Sequence, residues 1–116
     1  YALALRWTAL ELDASDTLAA GLAFNLAGSV DEFLAASAQY LAPMQNMVVA
    51  DREGRIGWVA AGRVPLRSPE NDLKGQVPAP GWDARYDWVG YLDPSLTPRD
   101  IDPPIGWIAT ANQRIH

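Results

Sequence analysis

Residues 43–67, PMQNMVVADREGRIGWVAAGRVPLR, decide the fold, because they have the pattern of two strands joined by a tight turn. The tetrapeptide at residues 51–54 separates two short runs that are almost entirely apolar. Gly54 lies where a type I turn followed by a left-handed residue favours glycine, which has no Cβ to clash. The sequence therefore predicts a β-hairpin over residues 46–61.

The register of this hairpin decides which side chains share a face. Facing Asp51 against Arg55 pairs Val48 with Trp58 and Asn46 with Ala60. Side chains alternate along a strand, so one face carries Asn46, Val48, Ala50, Ile56, Trp58 and Ala60, and the other carries Met47, Val49, Val59 and Ala61. Both faces are apolar apart from Asn46, which predicts a sheet covered on both sides.

The composition excludes several classes of protein and of site. The chain has 116 residues, 49% of them hydrophobic, which is enough for one ordered domain and argues against disorder. A formal charge of -5 argues against a nucleic-acid or anionic-membrane partner, and no apolar run reaches the roughly 20 residues of a membrane helix. The absence of cysteine excludes disulfides and zinc–thiolate sites within the chain. Because it begins at Tyr1 and stops abruptly at His116, we expect a piece cut from a longer protein.

Two helices are predicted ahead of the hairpin, within about residues 16–42. Ser15 opens a helix-start signature, and Ser29 with Glu32 fits a capping box. Pro43 ends the second helix. Together with the hairpin, these segments predict an α+β fold, an antiparallel sheet with two helices.

The flanking segments are less regular. Residues 2–10 read as a strand in which Arg6 is out of place, since an arginine among apolar neighbours needs a carboxylate partner or an exit to water. A salt bridge or an edge position is the favoured account. Residues 68–104 read as a Trp- and Pro-rich loop, and residues 105–111 as a final strand.

These residues carry little self-sufficient chemistry. The only histidine is His116, which argues against a Ser–His–Asp arrangement or a histidine-rich metal site. Asp83 and Asp87 could act as a carboxylate pair, although two aspartates in an acidic loop are more often solvated. Asp51 more often caps its turn than binds a metal.

Four aromatic residues within residues 78–92 allow a second interpretation of the chain: Trp82, Tyr86, Trp88 and Tyr91. Core packing beneath a loop is the favoured account of such a cluster, and a ligand cleft is the alternative. The chain could therefore be a small aromatic-rich ligand-binding or interaction domain without catalysis.

Several motifs in the right order resemble the β-chain of the penicillin acylase (penicillin amidase) family. They cover nearly the whole chain: Ala4–Thr8, Pro43–Asn46, Ala50–Asp51, Gly54, Ile56–Gly57, Gly62, Pro65–Arg67, Pro78–Trp82, Trp88–Leu92, Pro103–Gly106 and Ala111–Arg114. The resemblance implies an N-terminal-nucleophile hydrolase with an αββα sandwich, of which this chain would be an interior fragment. Such enzymes are periplasmic or secreted, and the substrates of relatives include β-lactams with acyl side chains and acyl homoserine lactones.

The resemblance also implies two site residues. Asn46 matches the asparagine whose side-chain amide helps to hold the oxyanion, and its alternative is an asparagine bonding backbone at a strand start. Arg67 matches an arginine near the substrate, and its alternative is a surface salt bridge. Arg63, Asn112 and Gln113 fall in motif regions without an assignable role.

The chain departs from the family pattern in lacking a nucleophile, because Tyr1 is not a serine, threonine or cysteine. We therefore expect it to be inactive alone and to need the remainder of the α and β chains, while the intact parent cleaves a linear amide of N-acylated substrates. The family binds calcium, but no calcium ligand and no other cofactor is assigned to this segment. A hairpin that is apolar on both faces also predicts some self-association of the isolated piece.

Overall fold

The computed structural model describes residues 2–11 and 14–111, and in them two helices precede five strands. The helices are α1 (Ala14–Leu26) and α2 (Val30–Ser37). The strands are β1 (Gln45–Ala50), β2 (Ile56–Ala61), β3 (Pro65–Arg67), β4 (Trp88–Tyr91) and β5 (Arg99–Ile101). One antiparallel sheet has the order β1-β2-β5, and β3 pairs with β4 in a second. The predicted α+β fold with two helices and antiparallel pairing is confirmed.

The hairpin forms in the predicted register. Val48 lies opposite Trp58 and Asn46 lies opposite Ala60. The backbone N–H of Gly54 donates to the Asp51 carbonyl at 3.2 Å, and Gly54 has a φ of +88°. The turn geometry and the apolar pattern of the strands together therefore agree on which side chains of β1 and β2 share a face.

Helix α2 begins at the predicted cap, Ser29, and Glu32 reaches back as expected, although to the N–H of Gly28 rather than to that of Ser29. The Oγ of Ser29 accepts from the Glu32 N–H at 3.2 Å, and the Glu32 carboxylate accepts from the Gly28 N–H at 2.6 Å. The helix ends at Ser37, short of the predicted limit near residue 42. The N–H groups of Gln39 and Tyr40 bond three residues back rather than four, which tightens the chain out of α-helical geometry.

The core lies between α2 and one face of the β1–β2 hairpin. Val30 and Leu34 pack there against Val59 and Ala61, and all four are buried. Gly57 permits this close approach, because a Cβ at its position would lie 2.8 Å from the Cγ1 of Val30. On the opposite face Ala60 is buried, whereas Val48 is 48% exposed. Within the described residues the sheet is thus covered on the helix side, whereas the sequence predicted cover on both sides.

Three predictions about the flanking segments are wrong. Residues 2–10 form no strand, since no described segment pairs with them, and they end in a 3-10 turn at Thr8–Leu10. The predicted loop at residues 68–104 contains β4 and β5, each held by pairing with a distant strand. Residues 105–111 form no strand, because the chain turns as the Gly106 N–H donates to the Pro103 carbonyl at 2.8 Å.

None of the described helices is long and apolar enough to cross a lipid bilayer.

Candidate functional site

Asn46 lies near the start of β1, on the face of the hairpin that the helices leave open. Its side chain is half-buried, and the residue opposite it, Ala60, is only 2% exposed. The indole N–H of Trp58 donates to the Asn46 Oδ1 at 3.2 Å. The alternative of an asparagine side chain bonded to backbone at the strand start is therefore not what forms.

The Nδ2 of Asn46 makes no hydrogen bond to any other described residue, so both of its N–H donors are available. Buried polar groups in proteins are usually paired, and a half-buried amide with two available donors is one that a ligand atom could satisfy. The arrangement provides a hydrogen-bond donor on an otherwise apolar surface. Such a surface strengthens a bond to a developing negative charge.

Arg67 ends β3 at an irregularity in the β3–β4 ladder. Leu66 lies opposite Gly90 while Arg67 lies opposite Trp88, so Val89 is an extra residue on β4. A β-bulge of this kind re-aims the neighbouring side chains and is common next to active sites.

The Arg67 guanidinium lies directly against the backbone of Gly75. A Cβ built on Gly75 would come within 2.6 Å of one terminal guanidinium nitrogen, and Gly75 has a φ of +73°. Within residues 2–11 and 14–111, the Arg67 guanidinium forms no hydrogen bond or ion pair. The surface salt bridge weighed as an alternative role is thus not formed in the described part of the chain.

Asn46 and Arg67 make no direct contact that the structure records. They belong to different sheets, and no hydrogen bond links them. A groove of about 760 Å³ lies between the N-terminal segment and residues 75–87, and neither residue lines it.

Asp51 is occupied by backbone donors. Its Oδ1 accepts from the N–H groups of Glu53 and Arg55 at 3.1 and 2.9 Å, and its Oδ2 accepts from the Val30 N–H at 3.3 Å. It therefore caps the turn and links it to the start of α2. In the described portion of the chain no group of three or more His, Cys, Asp or Glu side chains is placed to hold a metal ion.

Asp83 and Asp87 do not form a carboxylate pair. Asp83 bonds to Arg85 at 2.7 Å, and that guanidinium holds the pKa of the Asp83 carboxyl below its usual value. Asp87 instead faces Arg6 at 3.4 Å. Each carboxylate therefore pairs with its own arginine.

Arg6 and the aromatic residues fasten the N-terminal segment to β4. Arg6 bonds to Glu11 at 2.9 Å and lies 4.5 Å above the Trp88 ring, so the favoured salt-bridge account of Arg6 is confirmed. Trp88 and Tyr91 meet edge to face at 6.1 Å, while Trp82 is 90% exposed and fills no core. The predicted packing beneath the loop therefore does not include Trp82.

Of the remaining motif residues, Arg63 lies 4.7 Å above the Tyr91 ring, and Asn112 and Gln113 lie outside the described residues. Sequence reasoning missed the two residues that contact the candidate side chains, Trp58 and Gly75. The hairpin register contained a signal for Trp58, since a long side chain reaches the diagonal neighbour across a strand pair. Gly75 carried no such signal, because it comes from a loop.

Comparisons with known proteins agree on one family. A family model described as penicillin amidase matches residues 1–116. The acyl-homoserine lactone acylase QuiP of Pseudomonas fluorescens is 49% identical over 90% of this chain, and QuiP of Pseudomonas aeruginosa is 41% identical over 98%. The penicillin acylase 2 proenzyme of Pseudomonas sp. is 44% identical over 60% of the chain.

A solved structure, the thermostable penicillin G acylase from Alcaligenes faecalis, matches with a TM-score of 0.76 and 29% identity. The match covers 87% of this chain and 18% of that one. The chain likewise spans only 12% and 13% of the two QuiP proteins.

Proposed function

The chain belongs to the penicillin amidase family, and from that premise we propose that it supplies the oxyanion-stabilising amide of an acylase. The enzyme cleaves the linear amide of an N-acylated substrate. The observation that carries this proposal is the half-buried Asn46 amide, whose oxygen is bonded to Trp58 while its N–H donors are available.

The chemistry follows from where charge develops during amide hydrolysis. When a nucleophile attacks the carbonyl carbon, the carbonyl oxygen becomes negative, and a fixed N–H donor lowers the energy of that intermediate. One such donor contributes about 3 to 4 kcal/mol to lowering the barrier. The donor must be fixed before the reaction, which suits a side chain held on a strand.

In this proposal the attacking group lies outside this segment. The nucleophile, the acyl pocket and any calcium ligands belong to the rest of the enzyme, and the segment alone is inactive. Arg67 stays close to the substrate as a positive group whose charge no carboxylate of the described chain neutralises. Residence in the periplasm is part of the same proposal.

The identity and coverage of the relatives named acyl-homoserine lactone acylase favour an N-acyl homoserine lactone as the first substrate to test. A penicillin with an acyl side chain is the second, since a relative named penicillin acylase is 44% identical over a shorter stretch.

The test is Asn46→Ala in the complete enzyme that carries this segment. We expect kcat to fall about 100-fold or more with KM little changed, because only the charged intermediate needs the donor. Steady-state kinetics on an N-acyl homoserine lactone and a penicillin measure both constants. Folding and chain processing should be unaffected.

The matched control is Asn25→Ala. Asn25 is an exposed asparagine of α1, and among the described residues its amide bonds only to the Gly21 carbonyl of its own helix. This variant should keep normal turnover. Unchanged turnover in Asn46→Ala would remove Asn46 from the site.

A further inference from the structure

Trp58 is placed to control the orientation of the Asn46 amide. Asn46 lies opposite Ala60, so Trp58 is its diagonal neighbour on the same face of the hairpin. The small side chain of Ala60 leaves room for the indole to reach across, and the Trp58 Nε1 lies 3.2 Å from the Asn46 Oδ1.

The chemistry of the two groups fixes which end of the amide faces the indole. An indole N–H donates and has no acceptor atom, whereas an amide offers an acceptor oxygen at one end and a donor nitrogen at the other. Rotating the amide by half a turn would set two donors against each other and break the bond. The oxygen therefore faces Trp58, and the Nδ2 is held on the opposite side.

Trp58 is not needed for the core described above. That core is formed by Val30, Leu34, Val59 and Ala61 on the helix side of the sheet, and Trp58 lies on the other face, where Val48 is 48% exposed. The most specific contact of its indole nitrogen is thus the bond to Asn46.

We propose that Trp58 is a positioning residue that holds the Asn46 amide with its N–H donors facing the reacting carbonyl. The inference rests on the proposed function of Asn46. Without the indole N–H, the amide samples both orientations and other rotamers, and part of the preorganisation is lost before each turnover. A neutral hydrogen bond is worth a modest amount in water, so the expected loss is about 3- to 10-fold in kcat.

The experiment is Trp58→Phe in the complete enzyme, which keeps an aromatic ring and removes the N–H. We expect kcat to fall about 3- to 10-fold while KM and the unfolding temperature change little. Trp107→Phe is the matched control, because Trp107 is 60% exposed and its indole nitrogen bonds to no described residue. It should leave kcat unchanged.

A double-mutant cycle measures whether the effects of Trp58→Phe and Asn46→Ala on kcat are coupled, which a general structural role of Trp58 would not produce. If Trp58 acts through Asn46, Trp58→Phe has no further effect on kcat in the Asn46→Ala background. An equal fall in both backgrounds would overturn the inference, and so would an unchanged kcat in Trp58→Phe alone.

A second variant guards against a folding defect in Trp58→Phe. Replacing Trp58 by 3-benzothienylalanine keeps the bicyclic shape and substitutes sulfur for the N–H. The same loss of kcat is expected, and full activity would overturn the inference. If Asn46→Ala itself leaves kcat unchanged, the proposed function fails first, so the two failures are distinguishable.

Discussion

Arg67 depends for its placement on a residue that has no side chain at all. Its guanidinium occupies the space in which a Cβ of Gly75 would stand, and the nearest nitrogen would be 2.6 Å from that atom. The ladder beside Arg67 is irregular, since β4 carries Val89 as an extra residue there. The Arg67 guanidinium thus lies beside two local irregularities, the extra residue in the β3–β4 ladder and Gly75 in the loop.

Gly75→Ala should lower the turnover of the complete enzyme clearly while lowering its unfolding temperature only modestly. The φ of +73° costs an L-residue about 1 to 2 kcal/mol, whereas the clash falls on the flexible end of Arg67, which can move aside. We expect thermal unfolding to report the backbone cost and enzyme kinetics to report the displaced guanidinium.

Gly54→Ala provides the matched comparison for this prediction. Gly54 has a φ of +88° but no atom within 4 Å of a built Cβ, so it shares the backbone strain without the contact. Equal stability losses with reduced turnover only in Gly75→Ala would support the assignment. Equal turnover in the two variants would contradict it.

At the scale of elements, a charged network fastens the hairpin turn to its neighbours. Arg55 bonds to Asp31 of α2 at 2.6 Å and to Asp102, just after β5, at 2.9 Å. The Ile56 N–H also donates to the Asp102 carboxylate at 2.9 Å. These bonds, the backbone one first and Arg55 second, hold the pKa of Asp102 below its usual value.

The network should make stability depend on pH in one direction. A depressed pKa means that the folded state favours the charged carboxylate, so the stabilisation is present above the unfolded pKa near 4 and is lost as the pH falls through the lower folded value. Asp102→Asn should therefore be less stable than the original chain at pH 7. The difference in unfolding temperature should shrink below about pH 4.

Asn suits this test because Asp102 has a φ of +48°, a region that asparagine also tolerates. Asp100→Asn is the control, since the Asp100 carboxylate bonds to no described residue. It should change the unfolding temperature little at pH 7. A stability difference for Asp102→Asn that stays constant from pH 7 to pH 3 would contradict the prediction.

The elements also show what the sequence could predict. The hairpin and its register followed from a turn whose determinants lie within a few residues, and the capping box of α2 is equally local. Strand β4 has four residues and β5 has three, and both exist because distant strands pair with them. No local sequence pattern predicted them. The run at residues 2–10 had strand composition, but a strand needs a hydrogen-bonded neighbour.

The same distinction holds for the candidate site. Asn46 and Arg67 are candidates that the motifs proposed, and the contact from Trp58 was implicit in the register. The position of Gly75 against Arg67 depends on the path of a loop, which single-sequence reasoning does not supply.

At the scale of the whole molecule, the chain is more extended than its length suggests. Its radius of gyration is 16.7 Å, against about 13 Å for a compact domain of this length. Its accessible surface is 8167 Å², against about 6,200 Å² for a compact monomer of this mass. Part of the excess is apolar, including the outer stripe of α1 at Leu18, Leu22 and Leu26, each more than 60% exposed.

We predict that the isolated segment self-associates through this stripe, because copies can bury what neighbouring parts of an acylase would cover. Light scattering across a dilution series should show a mass that rises with concentration. Leu22→Glu should reduce the association, whereas Leu96→Glu should not, since Leu96 is 67% exposed but lies on a separate short turn. A monomer at every dilution would contradict the prediction.

The diagonal contact between Trp58 and Asn46 has a consequence for protein engineers who recombine acylase genes. A chimaera with its crossover between β1 and β2 would take the Asn46 amide from one parent and the residue at the Trp58 position from the other. A phenylalanine from the second parent would leave the amide without its anchor, while another N–H or O–H donor of similar reach could restore it. Chimaeras are therefore best designed with the whole hairpin transferred as one cassette.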